Sequence, residues 1–306
     1  MGGSGGSSYF PRASSDLKKL IQQSKQDADR KILDSDINKL LRKILASYER
    51  DPQKVQKHLE RIGDVLKDQA DMETLLFGGS VAKHTYVDGL SDVDALVILR
   101  QEELAGKSPQ AVLNSFHKSL QDRLTSDLID SVEKGRMAVT VNFRDGMQIQ
   151  LLPATRVGSK VKISTATLKS WKEINPKAFQ RMLTRANQRL NNLLVPTIKL
   201  VKSIIGGFPK QKRLTGYHVE SLAVEAVKGY RGEKTVKSLL LHVLKDASKR
   251  ILQPISDVTG QSRVVDSYLG KKDSTKRRIA ADAVASVSRK LNAATSVDQW
   301  IATLGD

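Results

Sequence analysis

The chain has no cysteine among its 306 residues. Disulfides, thiol nucleophiles and zinc–thiolate sites are therefore excluded, and a reducing, cytoplasmic setting is expected. Histidine is also scarce: five residues, with no pair at metal-binding spacing, so an imidazole-built metal site is not expected. Aromatic residues make up only 5% of the chain, which leaves little for base-stacking recognition of single strands. No apolar run approaches the ~20 residues of a membrane span. No charged segment followed by an apolar one opens the chain, so secretion by a signal peptide is not expected either.

Charge is abundant and uneven. The formal net charge is +18. Residues 1–154 hold 22 Lys+Arg and 22 Asp+Glu, so the whole excess falls in residues 155–306. Such an asymmetry suits a polyanionic partner such as nucleic acid or nucleotide phosphates, or simply solvated lysine-rich helices.

Three segments follow from the patterning. Residues 1–14 carry Gly/Ser linker composition and are read as flexible. Residues 15–163 open with helical periodicity to about residue 70, at Leu17, Leu20 and Ile21, then Ile37, Leu40, Leu41 and Ile44, then Val55, Leu59, Ile62 and Val65. Strand-like runs follow at 74–77, 93–99, 128–132, 138–143 and 147–152, the last two joined by the turn signal Arg144-Asp145-Gly146, with a helix over 111–124. Beyond Lys162 strand signals fade. Residues 164–306 read as helices over 176–193, 195–205, 216–228, 235–252, 275–291 and 297–304. The expected class is α+β: a mixed sheet with helices, then a helical C-terminal domain.

The chemistry concentrates in Phe77-Gly78-Gly79-Ser80 and, twelve residues after the serine, Asp92-Val93-Asp94. A strand ending in two glycines and a serine offers backbone N–H groups and a hydroxyl to a phosphate. Alternation puts Asp92 and Asp94 on one strand face. Adjacent carboxylates repel unless a cation lies between them, and hard oxygen ligands suit Mg²⁺, which also takes phosphate oxygens. A phosphate cradle beside a carboxylate pair is equipment for metal-assisted nucleotidyl transfer. Lys83 and His84, between the two motifs, read as surface residues rather than catalysts.

This stretch resembles the signature of the DNA polymerase β-like nucleotidyltransferases, and within them the cGAS/DncV-like nucleotidyltransferases, or CD-NTases, of bacterial anti-phage signalling. The resemblance implies a polymerase β-like sheet and an oligoadenylate-synthetase-like architecture. It implies two Mg²⁺ ions, with Mn²⁺ possible, on Asp92 and Asp94, and a triphosphate held by Gly79 and Ser80. Ile198-Lys199-Leu200-Val201-Lys202 looks like the helix that presents a lysine, here Lys202, to the triphosphate. Leu214-Thr215-Gly216-Tyr217 looks like the family's helix start near the donor nucleotide, which brings in Thr215 and Tyr217. Val265-Asp266-Ser267-Tyr268-Leu269-Gly270 fits the C-terminal region.

One position departs from the family. A third Asp or Glu is expected three residues before a proline, and Gln150 stands there, in Gln148-Ile149-Gln150-Leu151-Leu152-Pro153. That carboxylate would help to hold the metal and to deprotonate the attacking 3′-hydroxyl, and an amide can do only the first, weakly. An engineered inactivation, a natural variant with little turnover and a misplaced strand all remain open. Asp145, the nearest other acid, sits in the turn and is not expected to substitute.

In the basic half, Lys177, Arg181, Arg185 and Arg189 recur every four residues and form one stripe on a helix. Lys210, Lys212 and Arg213 form a basic loop, and Lys271, Lys272, Lys276, Arg277 and Arg278 a second cluster that reads as a solvated helix start. Without interleaved aromatics, tracking the phosphates of a structured RNA is the better fit for such a surface. Trp171 and Trp300 read as packing anchors. The resemblance thus implies synthesis of cyclic or linear oligonucleotide second messengers from NTPs. The alternatives are an RNA 3′-end nucleotidyltransferase and a non-catalytic nucleotide- or RNA-binding relative.

Overall fold

The computed structural model describes residues 14–48, 52–67, 72–77, 93–100, 104, 106–165, 167–260 and 262–305. Two helices lead in, α1 (Ser14–Ser47) and α2 (Pro52–Lys67). The sheet region holds β1 (Met72–Phe77), β2 (Val93–Leu99), α3 (Pro109–Arg123), β3 (Ile129–Lys134), β4 (Val139–Phe143), β5 (Gln148–Val157), β6 (Lys160–Ser164) and β7 (Trp171–Ile174). Then come α4 (Pro176–Arg189), α5 (Leu194–Gly206), α6 (Gly216–Ala226), α7 (Val236–Arg250), α8 (Thr275–Ala293) and α9 (Val297–Gly305). Among the described residues, no helix is long and apolar enough to cross a membrane.

The strands form one seven-stranded mixed sheet in the order β1-β2-β5-β4-β3, with β6 and β7 continuing from β5. Only β2 and β5 run parallel. A parallel pair needs a long crossover, and α3 with the β3–β4 hairpin supplies it. Ser108 caps α3, its hydroxyl accepting from the Ala111 N–H, and Pro109 takes the first helical position, where no N–H is needed. Gly146, at φ +84°, closes the β4–β5 turn, a conformation that costs glycine nothing.

Alternation along β2 and β5 divides the sheet into two faces. Ala95, Val97, Leu99, Ile149 and Leu151 are buried against Leu59 and Ile62 of α2 and Val112, Phe116 and Leu120 of α3. On the other face, Leu96 and Ile98 join Ala154, Val161, Ile163 and Ile174 in a smaller apolar cluster at the β6–β7 end. Beyond that cluster the same face carries a concavity lined by polar residues of β3–β5.

One expectation needs correction. Strand structure does not fade at Lys162: β6 and β7 carry the sheet to Ile174. β7 is four residues long with only Ile174 buried, too short and too exposed to show a period. The lead-in helix α1 packs in the helical half. Ile37 and Leu41 of α1 are fully buried in the core of α5–α9, Tyr48 Oη donates to Ser203 Oγ at 2.6 Å, and the Lys237 N–H donates to Asn38 Oδ1 at 3.0 Å.

Candidate active site

The sheet register places the residues that carry the chemistry. In the parallel β2–β5 pair, Asp94 lies opposite Gln150. In the antiparallel β4–β5 pair, Thr140 lies opposite Gln150, and in β3–β4 Glu133 lies opposite Thr140. Asp94, Gln150, Thr140 and Glu133 therefore form one row across four strands, on the face turned away from α2 and α3. A second row, Gln148, Asn142 and Ser131, runs beside it. Gly79, Ser80, Lys83, His84 and Asp92 lie outside the described residues.

Gln150 is thus beside Asp94 by register, and a misplaced strand no longer explains the missing carboxylate. Asp145 does not replace it. Its Oδ1 accepts the Met147 N–H at 3.0 Å, and its Oδ2 lies 2.9 Å from His58 Nε2 on α2. His58 stacks on Phe143, with ring centroids 3.8 Å apart, which ties Asp145 to the helix-covered side. Among the described residues no group of three or more His, Asp or Glu converges as a metal site. Gln150, opposite Asp94 by register, brings a neutral amide where a hard-oxygen metal site favours a charged carboxylate.

Glu133 and its neighbours were not singled out from the sequence. Ser131 Oγ donates to Glu133 Oε1 at 3.0 Å, and Asn142 Nδ2 donates to the same oxygen at 3.1 Å. Asn142 Oδ1 is buried without a hydrogen-bond partner. Glu133 and Asn142, with Asp130, Thr140, Gln148 and Gln150, line a concavity of about 410 Å³ on this face.

In the helical half, Lys202 of α5 and Glu220 of α6 form a buried pair with Nζ···Oε1 at 2.8 Å, their side chains 4% and 1% exposed. A methyl at Gly216 would sit 3.4 Å from Lys202 Cε and Nζ, so the ammonium lies directly under the first turn of α6. Its partner in the structure is a carboxylate where a phosphate was expected.

Thr215 caps α6, its hydroxyl accepting the His218 N–H at 3.3 Å. The Thr215 N–H donates to Tyr268 Oη at 3.1 Å, and that hydroxyl lies 2.9 Å from His218 Nδ1. The other ring nitrogen, Nε2, is buried 3.5 Å from Asp266 Oδ2, too far for a hydrogen bond in this structure. Asp266 Oδ2 in turn accepts from Arg277 Nη1 at 2.7 Å. Arg277 also donates to the carbonyls of Ile251, Gln253, Gly270 and Lys271. It is fully buried, so the reading of this residue as part of a solvated basic cluster is corrected. Burial, partly offset by Asp266 and reinforced by Arg277, lowers the His218 pKa to about 4.

Tyr217 Oη donates to Asp257 Oδ1 at 2.8 Å, and its ring meets Phe179 edge-on at 5.0 Å. Burial first, then Asp257, raises the phenol's pKa. Burial pushes Asp257 up, but donors from Thr259, Tyr217 and Ser262 bring it below the usual carboxylate value.

Lys177, Arg181, Arg185 and Arg189 are exposed along α4. The three arginines border a groove of about 530 Å³ over Met182, Ala178 and Val224. Arg189 Nη2 donates to the Val227 carbonyl at 2.6 Å, so it also ties α4 to the end of α6. Lys210, Lys212 and Arg213 are exposed on and after a short 3₁₀ turn, Lys210–Lys212. Trp300 is fully buried in the helical core, and Trp171 is half-buried against the sheet core.

The fold recurs in known structures. Across 88% of this chain and 95% of the other, it resembles the Bradyrhizobium diazoefficiens CD-NTase CdnG in complex with GTP, at TM-score 0.68 and 14% identity. The Escherichia coli MS115-1 CdnC:HORMA-deltaN complex matches over 83% of this chain and 91% of the other, at TM-score 0.65 and 14% identity. The Vibrio cholerae DncV cyclic AMP-GMP synthase, a prokaryotic cGAS homolog, matches over 95% and 90%, at TM-score 0.60 and 10% identity. No curated protein matches the sequence. A family model matches residues 32–187, just over half of the chain and the whole of the Asp94–Gln150 sheet, and it is that of the Second Messenger Oligonucleotide or Dinucleotide Synthetase domain. The chain therefore belongs to the SMODS family of second-messenger nucleotidyltransferases.

Proposed function

We propose that the chain joins NTPs into short cyclic or linear oligonucleotides with release of pyrophosphate, in anti-phage signalling of the CBASS type, and that Gln150 slows the reaction. The observation that carries this reading is the register of Asp94 beside Gln150 on the sheet face turned away from α2 and α3. The neighbours solved with nucleotide, CdnG with GTP and CdnC with ATP, support NTPs as substrates.

Asp92 and Asp94 are assigned to holding magnesium, and Gly79 and Ser80 to cradling the triphosphate. A bound divalent ion supplies Lewis-acid stabilisation of the charge that develops on the transferred phosphoryl group. Gln150 offers a carbonyl oxygen to the metal side but cannot take the proton of the attacking 3′-hydroxyl. That proton then leaves without a positioned base, and such a base is worth typically about 10²–10⁴-fold in rate. Thr215 and Tyr217 are assigned to the nucleotide-facing start of α6, which the cluster of Tyr268, His218, Asp266 and Arg277 holds in place. Lys202 reaches a phosphate only if its pair with Glu220 loosens.

The test is Gln150→Asp. Incubated with labelled NTPs and Mg²⁺ or Mn²⁺, the variant should make phosphatase-resistant oligonucleotides at least ~10²-fold faster than the chain with Gln150. RNA lengthened at its 3′ end would favour an end-adding enzyme. No turnover by either protein, with nucleotide still bound, would favour a non-catalytic relative.

A further inference from the structure

The groove along α4 has the make-up of a protein-docking site, and we infer that it takes an acidic amphipathic helix of a partner protein. This goes beyond nucleotidyl transfer and does not depend on it. Two rows run side by side along α4 at four-residue spacing. One is Arg181, Arg185 and Arg189, and the other is Ala178, Met182 and Ala186. Phe179 and Leu183 anchor the helix in the core. The end of α6 completes the groove with Val224, only 2% exposed and so at its floor, and with Lys228 just beyond the helix.

The cations of this groove have donors to spare. α4 contains no acidic residue, and like charges four apart destabilise a helix. Arg189 gives one donor to the Val227 carbonyl, and Arg181 Nη2 lies 3.4 Å from Asn175 Oδ1. Among the described residues Arg185 has no hydrogen-bond or ion-pair partner. Lys228 pairs with Glu225 at 2.6 Å, yet its side chain stays 60% exposed. Each guanidinium carries five N–H donors, so most of them still face outward. An anionic occupant removes the repulsion along α4 and fills those donors.

The floor decides which anion. A nucleic-acid backbone answers the arginines but has nothing for Met182, Ala186 and Val224. None of the described residues lining the groove is aromatic, so no base can stack there. A protein segment brings carboxylates and apolar side chains together. As a strand it would send neighbouring side chains to opposite faces, and acids next to its apolar residues would point out of the groove. As a helix it sets acids on both flanks of an apolar stripe, which matches a floor with Arg181 and Arg185 on one helix and Lys228 on the other. Arg181 to Arg189 spans about 12 Å, two turns, and carboxylates four apart on a facing helix repeat at the same interval.

The experiment is fluorescence anisotropy on the full chain at about 0.15 M ionic strength. The probe is a helical peptide of about 15 residues, with leucine on one face and glutamate on both flanks. It is compared with a scrambled peptide of the same composition, an RNA hairpin and phosphatidylglycerol vesicles. The unaltered chain should bind the amphipathic peptide at least about 10-fold more tightly than the scrambled one, the increment for burying one leucine. R185A should weaken that binding about 10-fold and M182Q about 5-fold, while K245A, on α7 and outside the groove, should not change it. Arg185 is exposed, so R185A keeps the fold and its result stands whether or not M182Q does. Equal binding of the two peptides, or no loss in R185A, overturns the assignment. Tighter binding of the hairpin or the vesicles, lost in R185A, gives the groove to a phosphate-bearing partner and overturns it as well.

Discussion

Lys202, read from the sequence as a phosphate ligand, is held at the scale of single residues in a buried pair with Glu220. Removing one partner of a buried pair leaves the other charged and unsolvated, at a cost of about 3–5 kcal/mol. Lys202→Met should therefore lower the unfolding free energy of the nucleotide-free protein by that amount in urea titration. Lys202→Met with Glu220→Leu should recover much of the loss. A lysine that served only the triphosphate would leave nucleotide-free stability unchanged. Arg277 teaches a related lesson. Nothing in Lys276-Arg277-Arg278 marks the middle residue as buried, because its cage is made of four carbonyls brought from two stretches of chain, 251–253 and 270–271. Gln150 was legible because a two-residue period fixes the face of a strand whatever lies elsewhere. Glu133 was not, because its relation to Asp94 depends on the order of four strands.

Among the elements, α6 has the most elaborate support. Its cap residue Thr215 is tied to Tyr268 and His218, and His218 is buried beside Asp266 and its partner Arg277 of α8. A network of this kind makes stability depend on pH with a definite sign. His218 has a pKa of about 4 when folded, against about 6.5 when unfolded, so between those values the unfolded chain binds more protons. Stability is full above about pH 6.5 and falls as the pH drops toward 4, by about 3 kcal/mol from this residue. Thermal unfolding followed from pH 7 to pH 4 should show the loss, and His218→Gln should flatten that part of the profile. An unchanged slope in the variant would assign the acid sensitivity to other groups. The elements themselves were largely readable: β2 spans Val93–Leu99 as the apolar run indicates, and α4–α9 follow the helical periods. β6 and β7 escaped because they are short and mostly solvent-facing, and the docking of α1 escaped because periodicity says which side of a helix is buried but not against what.

For the whole molecule, the positive excess of residues 155–306 is only partly free for an anionic partner. Lys202 and Arg277 are buried in pairs, and Arg189 holds the Val227 carbonyl. Lys177, Arg181 and Arg185 stay exposed on one helix, so they are the proper test of nucleic-acid binding. Changing all three to Glu should abolish any salt-sensitive RNA or DNA binding and flatten the dependence of affinity on salt. It should leave stability within about 1 kcal/mol, as surface substitutions usually do. Unchanged binding would assign the stripe to solvation. Arg189 should be left alone in this experiment, since its loss would also untie α4 from α6.

The docking of α1 also orders events in time. Among the described residues, α1 packs into the helical core of α4–α9, which follows the sheet in the chain. During synthesis the sheet, whose strands all lie between residues 72 and 174, can complete itself while α1 still waits with Ile37 and Leu41 uncovered. The helical half closes only when the C-terminal helices have left the ribosome. A ribosome stalled far enough past Ile174 for β7 to have left the exit tunnel, with α7–α9 not yet made, should therefore hold a protease-resistant sheet and a protease-sensitive α1.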